Sequence, residues 1–324
     1  MKKFRPAVIL LIKLLVSGGL IAYILTRIHI ERSFHTLVSA KLSFIVLALV
    51  VYLVAQAVSA VRWTVLVRPL GIKTPFRELV SYYMIGMFFN LFAPGTVGGD
   101  VSRVYYLVKD QERNDQGRTV PTVRVAMSVL MDRAIGMVVL IWMGAAGLML
   151  FPSYPVPTAI RSLTLMLALG FAICTVLIPV LRRALPEDGN SLIVKLRLVL
   201  RSYRAHWHAI VLGILLSLIV HLIQAWMHLV MARALNLAIP FSFCLIVYPL
   251  VGTFAAIPIS LNGLGLREGG YIFLLGLIGI DSENGIAFGL LLFLIVATDS
   301  LIGGIIFLLK KAPRPSANAA EARL

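Results

Sequence analysis

Two short segments of this chain place an arginine just behind a glycine-rich break in an apolar run. The first reads Pro94-Gly95-Thr96-Val97-Gly98-Gly99-Asp100-Val101-Ser102-Arg103, and the second reads Pro258-Ile259-Ser260-Leu261-Asn262-Gly263-Leu264-Gly265-Leu266-Arg267. In both, a Gly or Asn followed by Gly stands after the proline at the same distance, and the arginine follows at the same distance again. The chemistry these residue types support is anion binding. A guanidinium grips phosphate oxygens bidentately. Gly98, Gly99, Gly263 and Gly265 let the backbone approach a ligand closely, and N–H groups at a restarting helix favour negative charge. The competing reading is that Arg103 and Arg267 snorkel to an interface.

Ionisable groups inside apolar runs are costly, which makes each one a functional candidate. Asp100 and Glu268 neighbour the two arginines, either as ion-pair partners that orient the guanidinium or as proton carriers. Asp132 and Arg133 are adjacent on a helix, point in different directions and so pair with other elements, as structural ion pairs beside the first break. Asp299 is a lone acid, suited to proton coupling or to a hydrogen bond within the bundle. His221, Gln224 and His228 share one helix face, which reads as a hydrogen-bonded seam because no further metal ligands lie at suitable spacing. Arg62-Trp63 reads as an interfacial anchor. No metal site and no cofactor is expected. No Walker motif, GxSxG or HExxH appears, so no enzyme activity is expected.

These residues are carried by long apolar elements. Runs at 7–27, 43–67, 125–150, 161–181, 209–231 and 285–309 reach the ~20 residues needed to cross hydrocarbon. Only 14% of the 324 residues are charged, too few for an ordinary soluble domain. The net charge of +16 comes from basic residues placed between the runs, which points to anionic lipid and away from nucleic acid. Run 7–27 has no small-residue cleavage site and reads as a retained anchor, with Lys13 snorkelling. With the N-terminus inside, the inward segments carry 21 Lys and Arg and the outward segments carry 3. That asymmetry requires the run at 79–93 to enter and leave on one side. It is also short, about 22 Å of helix, and ends at Pro94-Gly95. The second break interrupts 242–280 in the same manner from the opposite side. The two prolines stand 164 positions apart, and at that offset 43–67 maps onto 207–231.

The expected fold is therefore an all-α polytopic membrane protein, with six transmembrane helices plus two re-entrant hairpins arranged as an inverted repeat. A single integral domain spans 1–311, with pseudo-repeats at about 7–150 and 161–309, and 312–324 forms a short disordered cytoplasmic tail. Both termini are cytoplasmic, in a cytoplasmic (inner) membrane. Residues 191–204 form a basic amphipathic stretch on the cytoplasmic leaflet. Interrupted segments at matching positions of inverted halves are a pointer to a binding site at mid-depth.

Asn90-Leu91-Phe92-Ala93-Pro94-Gly95 through Gly99-Asp100 to Arg103, then Asp132-Arg133, then Pro258-Ile259-Ser260 with Asn262-Gly263-Leu264-Gly265-Leu266-Arg267-Glu268, resemble the lysylphosphatidylglycerol synthase transmembrane-region family. The likeness covers nearly the whole chain. It implies a flippase-like membrane domain, and no soluble aminoacyl-transferase domain follows residue 324, so a stand-alone member is expected. The implied substrate site comprises Arg103, Arg267, Glu268, Asn262, Gly263, Gly265, Asn90, Pro94, Gly98, Gly99 and Asp100, with Asp132, Arg133 and Asp299 in coupling or structural ion pairs. The implied function is movement of an anionic, amine-modified or polyprenyl-linked lipid across the membrane. Alternatives are an intramembrane headgroup transferase or a non-transporting partner of a lipid-modifying or glycosyl transferase. Partners are phosphate-bearing membrane lipids and a membrane or cytoplasmic lipid-modifying enzyme. The charge asymmetry predicts that a cysteine at Asp115, in a background lacking Cys174 and Cys244, reacts with an impermeant maleimide only from the cytoplasmic face. Labelling only from outside overturns that orientation.

Overall fold

The computed structural model describes residues 15, 18, 19, 26, 30–92, 98–114, 122–184, 201–257, 260 and 263–310. Most of the expected span at 7–27, the stretch 191–200, the tail 312–324, Pro94 and Asn262 lie outside the described residues. Among the described residues every regular element is a helix. They are α1 (Ile30–Val38), α2 (Leu42–Val67), α3 (Phe76–Phe92), α4 (Gly98–Asn114), α5 (Thr122–Leu150), α6 (Thr158–Ala184), α7 (Trp207–Ala234), α8 (Phe241–Ala255), α9 (Leu266–Gly276) and α10 (Ser282–Leu309). A 3-10 turn, Arg68–Leu70, extends α2. Among the described residues five helices are long and apolar enough to cross a membrane: α2, α5, α6, α7 and α10. α8 is apolar but shorter.

The long helices are apolar all round, so a hydrophobic stripe does not decide which face turns inward. Small and polar residues do. α2 buries Ala48, Ala55, Gln56, Ser59 and Ala60 while Val46, Val50 and Val54 face out. α7 buries Gly213, Ser217, His221, Gln224 and Ala225 while Leu215, Leu218 and Leu222 face out. Against hydrocarbon, large apolar side chains lose nothing by exposure, whereas close packing and internal hydrogen bonds reward small and polar residues inside.

Two apolar clusters occupy opposite ends of the bundle. One, around Trp63, gathers Leu66, Leu79, Tyr82, Leu107, Val125 and Tyr203. The other, around Phe243, gathers Met227, Val247, Tyr271, Leu274, Phe288 and Leu291. α2 and α7 are antiparallel partners between them. The Lys41 N–H donates to the Ala234 carbonyl at 2.9 Å at one end. The Tyr203 hydroxyl, just before α7, donates to the Leu66 carbonyl at 2.8 Å at the other.

The short helices follow a different path. α3 leaves the Trp63 cluster and reaches mid-height at Asn90, and α4 returns to the same cluster through Tyr106 and Leu107. α8 leaves the Phe243 cluster, reaches mid-height at Ala255, and α9 returns to it through Tyr271, Leu274 and Leu275. α3 packs on α10, and α8 packs on α5. The first contact is close because Gly303 of α10 lies directly under the Met84 carbonyl of α3. The α5–α6 turn is tied by Arg161, which donates to the Leu148 carbonyl at 2.7 Å and satisfies the end of α5.

A Cβ at Gly303 would overlap backbone that cannot move aside, whereas one at Gly170, on the outer face of α6, meets nothing within 4 Å. Gly303→Ala is therefore expected to destabilise the protein by roughly 1–3 kcal/mol, as overpacking does. Gly170→Ala should be neutral or slightly stabilising. Thermal unfolding of the two variants in the same detergent checks the difference.

Candidate functional site

Both broken segments bring side chains to the same level. On the second, Gly263 and Gly265 have φ of 74° and 83°, a backbone region costly for any residue with a Cβ. That turn starts α9, and Glu268 caps it: the carboxylate accepts the Gly265 N–H at 2.7 Å through Oε2. Its other oxygen accepts two bonds from Arg267, from Nε at 3.1 Å and from the terminal nitrogen at 2.9 Å. Glu268 thus holds the helix start and the guanidinium in one geometry. On the first segment, Asn90 at the end of α3 accepts the Gly99 N–H at 3.0 Å. Gly98 starts α4, and a Cβ at Gly99 would overlap the Gly86 carbonyl. These bonds cross the break and lock α4 beside α3.

Behind them lies a buried ionic network. Asp132 of α5, 2% exposed, accepts from Arg62 Nε at 2.8 Å and from Arg103 at 3.2 Å, one guanidinium on each oxygen. Arg62, 6% exposed, also donates to Ser217 of α7 at 2.9 Å. Arg103, 4% exposed, lies over the Tyr83 ring at 3.9 Å and near Trp63 at 5.5 Å, a cation–π setting. Its Nε has no hydrogen-bond partner among the described residues.

Two sequence expectations change here. Asp100 does not orient Arg103, its neighbour in sequence. It pairs with Arg133 of α5, and Arg103 turns to Asp132 instead. Asp100 and Arg103 share one face of α4, but Asp132 and Arg133 are adjacent on α5 and point in different directions, so each takes a different partner from α4. Arg62 and Trp63 are not interfacial anchors. Both are buried in the bundle, where Asp132 neutralises the arginine and Ser128 accepts the indole N–H at 3.3 Å. The signal for Arg62 was present as complementary charges in two apolar runs, but position near a run's end suggested the interface.

A cavity of about 270 Å³ opens at the junction of the two clusters. Arg103, Arg133 and Arg267 line it, from α4, α5 and α9, together with Asn90, Gln56 and Ser300. Among the described residues its lining contains no carboxylate; Asp132, Asp100 and Glu268 pair with the arginines. Asp299, beside Ser300, is 5% exposed and keeps one oxygen without a partner among the described residues. Gln56, Tyr52 and Tyr83 were not singled out in the sequence. Gln56, a polar residue amid the apolar run of α2, was the visible sign.

His221 and His228 of α7 form a separate seam. His221 donates through Nε2 to the Gly136 carbonyl at 2.9 Å, with Tyr248 at 2.8 Å on Nδ1. His228 donates through Nδ1 to the Gln224 carbonyl at 2.8 Å, with the Tyr271 hydroxyl at 2.7 Å on Nε2. These bonds consume both ring nitrogens and join α7 to α5, α8 and α9.

Residues 10–303 match the family described as the lysylphosphatidylglycerol synthase TM region. The chain belongs to that family. It is also similar to the UPF0104 membrane protein PH1989 of Pyrococcus horikoshii, with 26% identity over 111 residues, 34% of this chain and 33% of the relative. A second relative, the UPF0104 membrane protein MJ1595 of Methanocaldococcus jannaschii, is 26% identical over 102 residues, 31% of this chain and 30% of the relative. The chain thus spans about a third of the length of these curated relatives. With five apolar helices of spanning length among the described residues, this member of the lysylphosphatidylglycerol synthase TM-region family is a multi-pass membrane protein.

Removing one partner from a buried pair strands the other charge, at a cost of about 3–5 kcal/mol. Asp132→Asn strands two guanidiniums and is expected to fall in or above that range. Asp100→Asn breaks a pair whose arginine is 42% exposed, and should cost only about 0–1 kcal/mol. Denaturant or thermal unfolding of the two variants side by side measures the contrast.

Proposed function

We propose that this chain is a lipid transporter of the cytoplasmic membrane, moving an anionic, amine-modified or polyprenyl-linked lipid between leaflets without altering it chemically. One observation carries the reading: three arginines from three helices converge on a cavity whose lining, among the described residues, holds no acid. A phosphate oxygen cluster is the complement of such a lining. Arg103 brings a buried donor with no partner of its own, and Arg267 is preset by Glu268. Carboxylates behind the cavity keep the empty site from being a cluster of uncompensated charge.

The inverted-repeat arrangement belongs to the same proposal. It is supported by the packing pairs. Exchange α2 with α7, α3 with α8, α4 with α9 and α5 with α10. The pair α3–α10 then becomes α8–α5, α4–α5 becomes α9–α10, and α2–α3 becomes α7–α8, and all of these pairs pack. It is further supported by the paths of α3–α4 and α8–α9, which return to opposite ends of the bundle. Re-entrant segments of this kind are tolerated at membrane depth where they are buried in protein or line a cavity. In the proposed mechanism the arginines hold the headgroup phosphate at mid-depth, and the two halves rock around that point to expose it to each leaflet in turn. Both termini face the cytoplasm, where a lipid-modifying enzyme supplies the substrate.

The test is transport of fluorescent phosphatidylglycerol across proteoliposomes, with lipid mass checked before and after. Arg267→Ala should lose most transport while the protein stays folded. Arg267→Lys should restore little, because an ammonium lacks the bidentate fork. If Arg267 serves only to pair with Glu268, the double variant Arg267→Gln with Glu268→Gln should regain activity. Wild-type transport by Arg267→Ala, or a change in lipid mass, overturns the reading.

A further inference from the structure

We propose that the apolar groove between α4 and α5 houses a hydrocarbon chain of the same lipid whose phosphate sits at the arginine cavity, with Arg133 as the hinge between the two. The proposal rests on the lipid reading above and adds where the substrate's tail runs.

The groove has a volume of about 520 Å³ and is almost wholly apolar, lined by Val101, Val104 and Tyr105 from α4 and by Met127, Val129 and Leu130 from α5. Val101, Tyr105 and Leu130 are about half exposed, so the groove is open along the outer surface of the bundle. Among the described residues its charged lining residues are Asp100 and Arg133, which form an ion pair with each other. Arg133 is also a lining residue of the arginine cavity. One side chain therefore bounds both spaces.

The occupant follows from this continuity. An amphiphile whose phosphate reaches mid-depth must keep its chain out of a cavity lined by guanidiniums. It needs an apolar exit that begins where the headgroup site ends. Bilayer chains are as apolar as the groove wall, so a chain gains little affinity by moving from lipid into the groove. It also loses little, and binding strength stays with the phosphate and the arginines. A soluble phosphate would have no use for the groove, and an apolar helix would have no use for the charged pair at its inner end. A chain-bearing phosphate uses both. Because Asp100 holds Arg133 across the junction, the pair also sets how wide the passage stands.

The experiment uses the full-length protein in nanodiscs of phosphatidylcholine doped with phosphatidylglycerol carrying a diazirine on one acyl chain. After illumination, labelled residues are located by peptide mass spectrometry. Labelling of Val104, Met127 and Leu130 should exceed that of the lipid-facing residues Leu215 and Leu218 of α7 severalfold. Leu130→Trp and Val101→Trp each add bulk at an exposed position, so folding is preserved, and each should abolish the enrichment. In parallel, glycerol 1-phosphate should raise the thermal stability of wild type and of both tryptophan variants, since ligands of the native state stabilise it. It should not do so for Arg267→Ala. Uniform labelling of α4, α5 and α7, or enrichment indifferent to both tryptophan variants, overturns the groove while a glycerol phosphate response leaves the headgroup site standing. Groove labelling that persists in Arg267→Ala, with no glycerol phosphate response in wild type, overturns the headgroup reading and this proposal with it.

Discussion

Asp132 is the point on which the bundle depends. One carboxylate, almost wholly removed from solvent, is shared by Arg62 of α2 and Arg103 of α4, and Arg62 reaches on to Ser217 of α7. Four helices thus meet at a single charge. Two guanidiniums against one carboxylate leave an excess of positive charge in a low-dielectric interior, which is costly unless further groups share it. Tyr83 and Trp63 supply ring faces, and Ser217 supplies an oxygen. The residual excess is directed towards the cavity, where Arg103 also lines the wall.

The placement of this charge explains the division of the core. Apolar packing is segregated into a Trp63 cluster and a Phe243 cluster, and the layer between them collects Gln56, Ser59, Arg62, Ser217, His221, Asp299 and Ser300. In a bilayer, each of these groups must find a partner inside the protein. The histidine seam does so completely, with both nitrogens of His221 and His228 engaged, and so reads as a structural brace between helices. The cavity does not. Among the described residues, Arg103 Nε and one oxygen of Asp299 remain unmatched beside it. In the proposed function, these unmatched atoms are what the substrate would complete.

The short helices serve this layer. Neither α3 nor α8 crosses the bundle; each delivers the end of a broken segment to mid-height, and α4 and α9 restart there with an arginine on the first turn or the second. Gly265 and Glu268 make the second restart rigid through a backbone turn closed by a carboxylate. Asn90 and Gly99 make the first rigid through a bond across the break. The proposed substrate would therefore meet arginines already oriented, which lowers the ordering cost of binding. The groove beside α4 extends that preset geometry to the apolar part of an amphiphile.

Much of this was legible in the sequence because membrane constraints are blunt. Runs of about twenty apolar residues identify spanning helices, and α2, α5, α6, α7 and α10 stand where those runs predicted them. The residues at the breaks, Arg103 and Arg267 with their glycines, stand out because charge and flexibility inside apolar runs are costly and rare. The Arg267–Glu268 pair was also readable, since the partners are adjacent. The partner of Arg103 was not. Asp100 is close in sequence, yet the helix sends it to Arg133, while Asp132 lies on another helix and is brought to Arg103 only by packing. Arg62 was misjudged for the same reason, as its burial depends on where α5 and α7 lie. Sequence by itself determined that charges inside the apolar runs, such as Asp132 and Asp299, had to be accommodated within the bundle, because such charges are costly in hydrocarbon. Tertiary structure alone decided which charge balances which, because a helix fixes the direction of a side chain but not what it meets.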